Sequence, residues 1–269
     1  MKRIGIIGNG YVGSAMFNFF RDHYGVMIHD KVDHRSLNSF EEVNKTADCA
    51  VICLPTEMLP DGSCDTSLVE EAVSRLKTEL IIIKSTVAVG TCKRLQEKYD
   101  KRIVFSPEFA GESKYWSPFK FDNDVKEMPY YIFGGKDKDC QLAVELYLKI
   151  GGPTKKYFTT DFNTAEMVKY VANTFYASKI TFCNEMYDIC EAMDTNWHKV
   201  RELWLNDPRV SSMHTAVFGD DRGYGGKCFP KDVNALIKVA EKADMQATVL
   251  QAVNKANKKF REKNTNKGN

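Results

Sequence analysis

The chain has 269 residues, a formal net charge of +2 and eight cysteines, so it can bury one large core or two smaller ones. Its balanced charge does not indicate nucleic-acid binding. The sequence contains no CxxC pair and no cysteine–histidine cluster at metal-ligand spacing, which argues against a metal site and against a disulfide scaffold. Because reduced thiols suit the cytosol and the apolar N-terminal run is too short for a signal sequence or a membrane span, we expect a soluble cytoplasmic protein without a membrane partner.

The N-terminal residues have the pattern of a βαβ unit. We predict a strand over 3–7, a helix over 14–21 and a second strand over 25–30. The segment GNGYVG, residues 8–13, lies between the first strand and the helix, and its glycines have the GxGxxG spacing of dinucleotide-binding loops. This unit therefore predicts a dinucleotide site at its first turn.

Each glycine of this loop has its own physical role. Gly8 permits a tight turn, Gly10 lets the backbone approach a pyrophosphate, and Gly13 allows the helix to pack closely. Asp30 ends the second strand, where a carboxylate hydrogen-bonds the ribose hydroxyls of NAD and repels the extra phosphate of NADP. We therefore expect NAD as the cofactor, bound by Gly8, Gly10, Tyr11, Val12, Gly13 and Asp30.

Four further short apolar segments have the composition of buried parallel strands. They are residues 49–54, 80–84, 103–105 and 130–134. Polar or turn-forming segments follow the first three, and loops at the carboxyl ends of parallel strands form the ligand crevice of such a sheet. We expect Thr56, Thr86 and Glu108 to converge there. For the two threonines, which we assign to the cofactor site, helix capping is an equal alternative.

A long helix is predicted over residues 161–193, a stretch with regularly spaced apolar residues and neither glycine nor proline. Asp161 is its candidate N-cap. Lys169 and Asn173 are four residues apart and share a face, and Lys169 lies in an otherwise apolar window, which favours a site lysine. This helix has more apolar residues than packing one of its faces against the rest of the chain would require, so we expect it to form a homodimer. We predict a final helix over about 233–254.

The segment GYGGKCFPKD, residues 223–232, places one cysteine between a glycine-rich loop and a predicted helix start. Cys228 would lie at the positive end of that helix and beside Lys227, and both favour the thiolate. Asp232, four residues on, would reach back toward the sulfur or a nearby water. The alternative, equally weighted on this segment alone, is that Cys228 is a small buried hydrophobe.

Taken in order, six motifs resemble the UDP-glucose/GDP-mannose dehydrogenase family of nucleotide-sugar dehydrogenases. They are GNGYVG at 8–13, CLPTEMLPDGSCD at 53–65, KSTVAVGT at 84–91, SPEFAGES at 106–113, AEMVKYVANTF at 165–175 and GYGGKCFPKD at 223–232. The resemblance covers residues 1 to about 255. It implies NAD-dependent oxidation of a UDP-sugar, most simply UDP-glucose to UDP-glucuronate, with two NAD molecules reduced in each turnover.

The resemblance also implies roles for individual residues. Cys228 matches the nucleophile that forms a thiohemiacetal and then a thioester, and Lys169 with Asn173 matches the pair that stabilises the oxyanion and positions a water. Asp232 matches the acid that acts with that lysine and water. The remaining matches are Glu108 for water activation, Thr86 for binding the catalytic water, Glu112 for contacts to NAD or the active site, Arg209 for a neighbouring subunit's sugar site, and Phe109, Tyr224 and Gly225 for substrate contacts.

The sequence departs from the family pattern in two places that matter. Asp220 and Asp221 stand in the loop that usually cradles the sugar diphosphate, where two acids are unfavourable and put the substrate in doubt. No counterpart of the family's second Rossmann-like domain follows the central region, so we expect a truncated or reduced version, or one whose missing surface a partner supplies.

These observations predict an α/β fold: a Rossmann domain with a doubly wound, mostly parallel sheet, followed by an all-α central dimerisation domain built on the long helix. The predicted boundaries are 1–158, 159–255 and a basic flexible tail at 256–269. Two other functions stay open. One is a two-electron dehydrogenase like the β-hydroxyacid or 6-phosphogluconate enzymes, which need no thiol, and the other is a catalytically silent NAD-binding scaffold.

Overall fold

The computed structural model describes residues 1–109 and 124–265, which form two compact units. The first unit contains Met1–Leu59 and Cys64–Lys169, and the second contains Pro60–Ser63 and the chain from Tyr170 onward. The division lies about ten residues beyond the predicted boundary at 158, within the long helix. The reason is that the first two turns of that helix belong to the sheet's core, where Phe162 and Ala165 are buried.

The first unit is built on a seven-stranded sheet with the strand order β2-β1-β3-β4-β5-β6-β7. The strands are β1 (Arg3–Ile7), β2 (Gly25–His29), β3 (Cys49–Ile52), β4 (Leu80–Ile83), β5 (Ile103–Phe105), β6 (Tyr130–Gly135) and β7 (Lys156–Thr160). Neighbouring strands are parallel except β5 and β6, which pair antiparallel. The mostly parallel sheet is confirmed, but β6 does not run parallel to the first five strands, and β7 was not predicted.

Both faces of this sheet are buried, as expected of a doubly wound fold. In β4, Leu80 and Ile82 pack into one core cluster, whereas Ile81 and Ile83 pack into the other. The α-helices within the described residues are α1 (Tyr11–Phe20), α2 (Phe40–Thr46), α3 (Ser67–Arg75), α4 (Thr91–Tyr99), α5 (Asp137–Gly151), α6 (Phe162–Ala192), α7 (Trp197–Trp204), α8 (Cys228–Lys242) and α9 (Thr248–Thr265). Only α1, α6 and a terminal helix were predicted.

The long helix α6 begins where the sequence predicts. Asp161 caps it, since its Oδ1 accepts a hydrogen bond from the backbone N–H of Thr164 at 2.9 Å. One turn later the carboxylate of Glu166, which is fully buried, accepts the backbone N–H groups of Gly90 at 2.6 Å and Cys92 at 2.9 Å. Glu166 therefore satisfies two donors at the start of α4 and joins the first turns of α6 to that helix.

We expect Glu166→Gln to lower the free energy of unfolding by about 2–3 kcal/mol, since one amide group would face two N–H donors with a single acceptor oxygen. Burial raises the pKa of Glu166, and the hydrogen bonds from Cys92 and Gly90 act in the opposite direction. Chemical denaturation measures the change. The matched control is Glu185→Gln on the exposed face of α6, expected to stay within about 0.5 kcal/mol. Equal losses in the two variants would contradict the structural role of Glu166.

The second unit is helical in the described residues. Its core contains Ala177 of α6, Val233 and Ile237 of α8, and Tyr224 from the connecting loop. The prediction of one final helix over 233–254 is wrong, because the chain turns at Asp244 (φ +55°) and a separate helix, α9, follows. None of the helices within 1–109 and 124–265 is long and apolar enough to span a bilayer.

The segment from 256, predicted as a frayed basic tail, is helical through Thr265. The prediction failed because the lysines of this segment suggested a solvated end, whereas α9 also has a packed face. Asn257 and Phe260 lie on that face and are only 5% and 7% exposed. The helix therefore belongs to the second unit, and its polar residues are available for internal contacts.

Candidate active site

The glycine loop of the first unit has the geometry that the three predicted roles require. Gly8 has φ +94°, and a Cβ there would lie 2.7 Å from the carbonyl oxygen of Cys53. A Cβ on Gly13 would lie 1.9 Å from the carbonyl oxygen of Gly8, so the start of α1 packs directly on the loop. By contrast, a Cβ on Gly10 would meet nothing within 4 Å. The backbone at Gly10 thus faces open space, which fits a cradle for a pyrophosphate at a helix N-terminus.

Asp30 follows β2 directly and lies beside this loop. Its Oδ2 accepts the backbone N–H of Asn9 at 2.7 Å, and its Oδ1 accepts that of Val32 at 2.8 Å. Burial acts to raise the pKa of Asp30, but these two hydrogen bonds and the Arg35 charge outweigh it, so the pKa lies below its ordinary value. An ionised carboxylate therefore stands next to the dinucleotide loop at neutral pH, where ribose hydroxyls would donate to it. Tyr11 and Val12 open α1, and Tyr11 is exposed.

The loops after β3 and β4 meet through the two predicted threonines. The hydroxyl of Thr56, which is buried, donates to the backbone oxygen of Thr86 at 2.7 Å. The helix-capping alternative is wrong for both residues, since the N-cap positions of α3 and α4 are Thr66 and Gly90. The contact between the loops supports the predicted crevice at the carboxyl ends of these strands.

Glu108 is buried after β5 and forms an ion pair that the sequence did not predict. The Nζ of Lys84, whose side chain is 2% exposed, lies 3.1 Å from Glu108 Oε2. The same ammonium group donates to the hydroxyl of Ser106 at 3.3 Å and to the backbone oxygen of Pro107 at 3.4 Å. A lysine directly after the apolar strand LIII was the available signal, since a charge at such a position needs a buried partner.

Lys169 and Phe109 also meet within the first unit. The Lys169 Nζ lies 5.2 Å from the centroid of the Phe109 ring, a cation–π distance. Phe109 donates its backbone N–H to Oε1 of Glu108 at 2.9 Å, so three predicted residues form one connected group. Glu112, assigned to the cofactor site from the sequence, lies outside the described residues.

Cys228 is the first residue of α8 and its side chain is exposed. All eight cysteines fall within the described residues, and the other seven are buried or half-buried. The alternative of a small buried hydrophobe is therefore wrong for Cys228. A thiol at the first position of a 15-residue helix is exposed to the positive end of the helix dipole, which favours its thiolate form.

Asp232 and Asn173 of the second unit are joined by a buried hydrogen bond. The Nδ2 of Asn173 donates to Oδ2 of Asp232 at 2.5 Å, and these side chains are on residues only 7% and 1% exposed. The other carboxylate oxygen accepts the ammonium group of Lys231 at 2.6 Å, a partner that the sequence did not predict. Asp232 is predicted to reach toward the sulfur or a nearby water, and in the structure its two oxygens accept hydrogen bonds from Asn173 and Lys231. This arrangement fixes the amide of Asn173.

Three residues predicted to contact the substrate lie in different surroundings. Arg209 is exposed and pairs with Asp207 at 2.6 Å. The ring of Tyr224 belongs to the hydrophobic core, with the residue 2% exposed, so a ligand would meet at most its backbone. A Cβ on Gly225 would lie 3.2 Å from the Arg261 guanidinium carbon, so Gly225 packs closely against the end of that side chain.

Of Asp220 and Asp221, the two acids that precede the 223–232 segment, Asp221 has a positively charged partner. Arg261 Nη1 lies 2.5 Å from Oδ1 of Asp221, and the two side chains are 41% and 38% exposed. This ion pair offsets one of the two negative charges that argued against a diphosphate. The sequence did not indicate this ion pair, because Arg261 lies 40 residues after Asp221, on α9.

Two family models match consecutive parts of the chain. Residues 27–151 match the NAD binding domain of the UDP-glucose/GDP-mannose dehydrogenase family, and residues 163–259 match the central domain of the same family. The chain belongs to this family. The match to the NAD binding domain, together with the geometry around Gly10 and Asp30, identifies the dinucleotide as NAD.

Individual relatives agree with this assignment. A UDP-glucose 6-dehydrogenase of Streptococcus pneumoniae is 30% identical over 300 residues, which cover 95% of this chain and 73% of the relative. UDP-glucose 6-dehydrogenase TuaD of Bacillus subtilis is 28% identical over 306 residues, covering 97% of this chain but 64% of the relative. The chain thus spans less than two thirds of the length of TuaD.

A solved structure has the same fold over nearly the whole chain. It is a UDP-glucose dehydrogenase from the hyperthermophilic archaeon Pyrobaculum islandicum, with a TM-score of 0.82 and 23% identity over 96% of this chain and 68% of that one. The agreement covers the Rossmann domain and the helical central region. The predicted fold class is therefore confirmed.

Proposed function

We propose that this chain forms the NAD-binding and central parts of an enzyme that oxidises the primary alcohol of a UDP-sugar to a carboxylate, most simply UDP-glucose to UDP-glucuronate. The observation that carries the proposal is the exposed Cys228 at the start of α8, in the same unit as the buried Asn173–Asp232 pair. A two-electron alcohol dehydrogenase needs no thiol, whereas the four-electron conversion to an acid uses one. The family to which the chain belongs supports the substrate class.

The proposed chemistry follows from the positions of the chain's own groups. Bound NAD supplies the hydride acceptor for each of the two oxidations. The Cys228 thiolate adds to the sugar aldehyde, and the resulting alkoxide takes a proton to give a thiohemiacetal. Loss of a hydride and a proton leaves a thioester, and water then displaces the thiolate to release the acid. The dipole of α8 stabilises the thiolate as both nucleophile and leaving group.

Other residues have supporting roles in this proposal. Asn173, fixed by Asp232, keeps its remaining amide hydrogen and its amide oxygen in one orientation, and with Lys169 it stabilises the oxyanion. Glu108, which pairs with Lys84, accepts the proton of the hydrolytic water, which Thr86 binds. Arg209, on the surface, is assigned to a neighbouring subunit's sugar.

The yield of NADH per sugar tests this function against the alternatives. The full chain is incubated with NAD and a limiting amount of UDP-glucose, UDP-N-acetylmannosamine or GDP-mannose, and NADH is counted by absorbance. Two NADH per sugar are expected. One NADH would favour the two-electron dehydrogenase, and no turnover of any sugar would favour the silent scaffold. Thermal stabilisation by one sugar in the presence of NAD identifies the substrate even where turnover is slow.

We further propose that α6 pairs with a second copy of the chain. Four large apolar residues form one exposed stripe along this helix at intervals of four and seven residues. They are Val171 (56% exposed), Phe175 (61%), Phe182 (49%) and Ile189 (46%). Isolated exposed apolar residues are common, but a continuous stripe indicates an interface.

Sedimentation is expected to show a dimer of the 30.6 kDa chain, and Phe175→Glu with Phe182→Glu is expected to yield the monomer, since two buried charges would replace two rings. The control is Leu203→Glu on α7, an equally exposed apolar residue outside the stripe. A wild-type chain that sediments as a monomer at micromolar concentration would contradict the proposal.

A further inference from the structure

The loop before Cys228 is bonded by three asparagines from two helices of the second unit. Three consecutive backbone N–H groups of the loop each donate to the side-chain oxygen of a different asparagine. The pairs, with their N···O distances, are Arg222 with Asn264 at 2.8 Å, Gly223 with Asn184 at 3.1 Å, and Tyr224 with Asn257 at 2.7 Å. Asn184 belongs to α6, and the other two asparagines belong to α9.

The two asparagines of α9 bind the loop in the same way. The Nδ2 of Asn257 also donates to the backbone oxygen of Tyr224 at 3.0 Å, and that of Asn264 donates to the backbone oxygen of Arg222 at 3.1 Å. Each side-chain amide thus pairs with both the N–H and the C=O of one loop residue, as a neighbouring strand would. Because the two asparagines are seven residues apart on one helix face, they meet alternate residues of the loop.

The hydrogen bonds between the asparagines and the loop are mostly buried and closely packed. Asn184 and Asn257 are 1% and 5% exposed, so the loop amides that they accept are removed from water. Gly223 has φ +75°, and a Cβ there would lie 2.5 Å from Oδ1 of Asn257. The contact therefore requires glycine at this position. Further along, Gly226 has φ +74° and a Cβ there would meet nothing within 4 Å, so its backbone faces open space.

We propose that Asn184, Asn257 and Asn264, the asparagine clamp, are positioning residues for the loop that leads into Cys228. Three glycines in the four residues from Gly223 to Gly226 make this segment costly to order, and the clamp fixes its first part before a ligand arrives. The backbone at Gly226 and the thiol of Cys228 are then presented in a preorganised geometry. This proposal rests on the proposed function for the identity of the ligand, a nucleotide sugar.

The test compares Asn257→Leu and Asn264→Leu with Asn254→Leu. Asn254 lies on the same helix, but its amide donates to the side chain of Asn234 at 2.9 Å and does not bond the loop. Both clamp variants are expected to raise the KM for UDP-glucose by about tenfold or more, with the KM for NAD changing less than about threefold. Hydrogen exchange of the amides of Arg222 and Tyr224 is expected to accelerate at least about tenfold. The control variant is expected to leave both readouts at the wild-type level.

The two readouts separate failure of this proposal from failure of the proposed function. If the wild-type chain oxidises no nucleotide sugar, the proposed function is wrong. Hydrogen exchange tests the clamp independently, and exchange rates of the loop amides that do not change in the variants would overturn it. Faster exchange with an unchanged KM for UDP-glucose would make the asparagines merely structural and would also overturn the proposal. Asn264 is less buried than Asn257, so its variant keeps the test decisive if Asn257→Leu does not fold.

Discussion

Replacing Cys228 with alanine is expected to abolish the conversion of a UDP-sugar to its acid while leaving the fold intact. The side chain is exposed at the start of α8, so its removal opens no cavity. Without the thiol no thioester forms, and acid production is expected to fall by about 10⁴-fold or more. The yield of NADH per sugar drops from two to at most one. Absorbance at limiting sugar, with chromatography of the products, measures both changes.

The matched control for this variant is Cys190→Ala, a half-buried cysteine in the same unit. It is expected to retain activity within about twofold. Iodoacetamide gives an independent readout, because Cys228 should react far ahead of the remaining cysteines. Burial, for example, raises the pKa of the Cys183 thiol to about 11. If Cys228→Ala still released two NADH per sugar, the assignment of the nucleophile would be wrong.

Replacing Lys84 with methionine is expected to lower the free energy of unfolding by about 3–5 kcal/mol and to abolish activity. The ammonium group lies 3.1 Å from Oε2 of Glu108, and the two side chains are 2% and 6% exposed. Removing the cation leaves a buried carboxylate without its counter-charge, which is among the largest costs a single substitution produces. Chemical denaturation measures the stability, and the NADH assay measures the activity.

A second substitution separates the structural effect from the chemical one. Lys84→Met combined with Glu108→Gln removes both charges, and we expect it to recover most of the lost stability without recovering activity. Lys199→Met, which breaks an ion pair with side chains 62% and 67% exposed, serves as the control and should cost less than about 1 kcal/mol. Similar stability losses for Lys84→Met and Lys199→Met would contradict the importance of the buried pair.

Local patterns in the sequence predicted most of the sheet. Strands such as β1 and β5 were located to the residue because buried apolar runs bounded by polar residues are visible within a few positions. The edge strand β7 was missed, since its sequence KYFTT is largely exposed and lacks an apolar run. The antiparallel pairing of β5 and β6 was missed because strand direction depends on partners distant in the chain.

The site residues, like the strands, divide into those that local sequence patterns predicted and those that were missed. The glycine loop and Cys228 were predicted from short motifs whose spacing reports local backbone geometry. Lys84 and Lys231 were missed, since a lysine becomes informative only when its carboxylate partner is known. The asparagines of α9 gave no signal at all, because a polar residue in a lysine-rich helix suggests solvent unless the loop that it binds is already in place.

The reversal between β5 and β6 decides where α6 begins. Because β6 pairs antiparallel with β5 and β7 runs parallel to β6, Thr160 at the end of β7 is in register with Gly134, and Gly134 is in register with Phe105 at the end of β5. The chain therefore enters α6 level with the end of β5, and two turns into the helix the ammonium group of Lys169 lies over Phe109. A strand pair that runs against its neighbours thus brings together two site residues that are 60 positions apart in the chain.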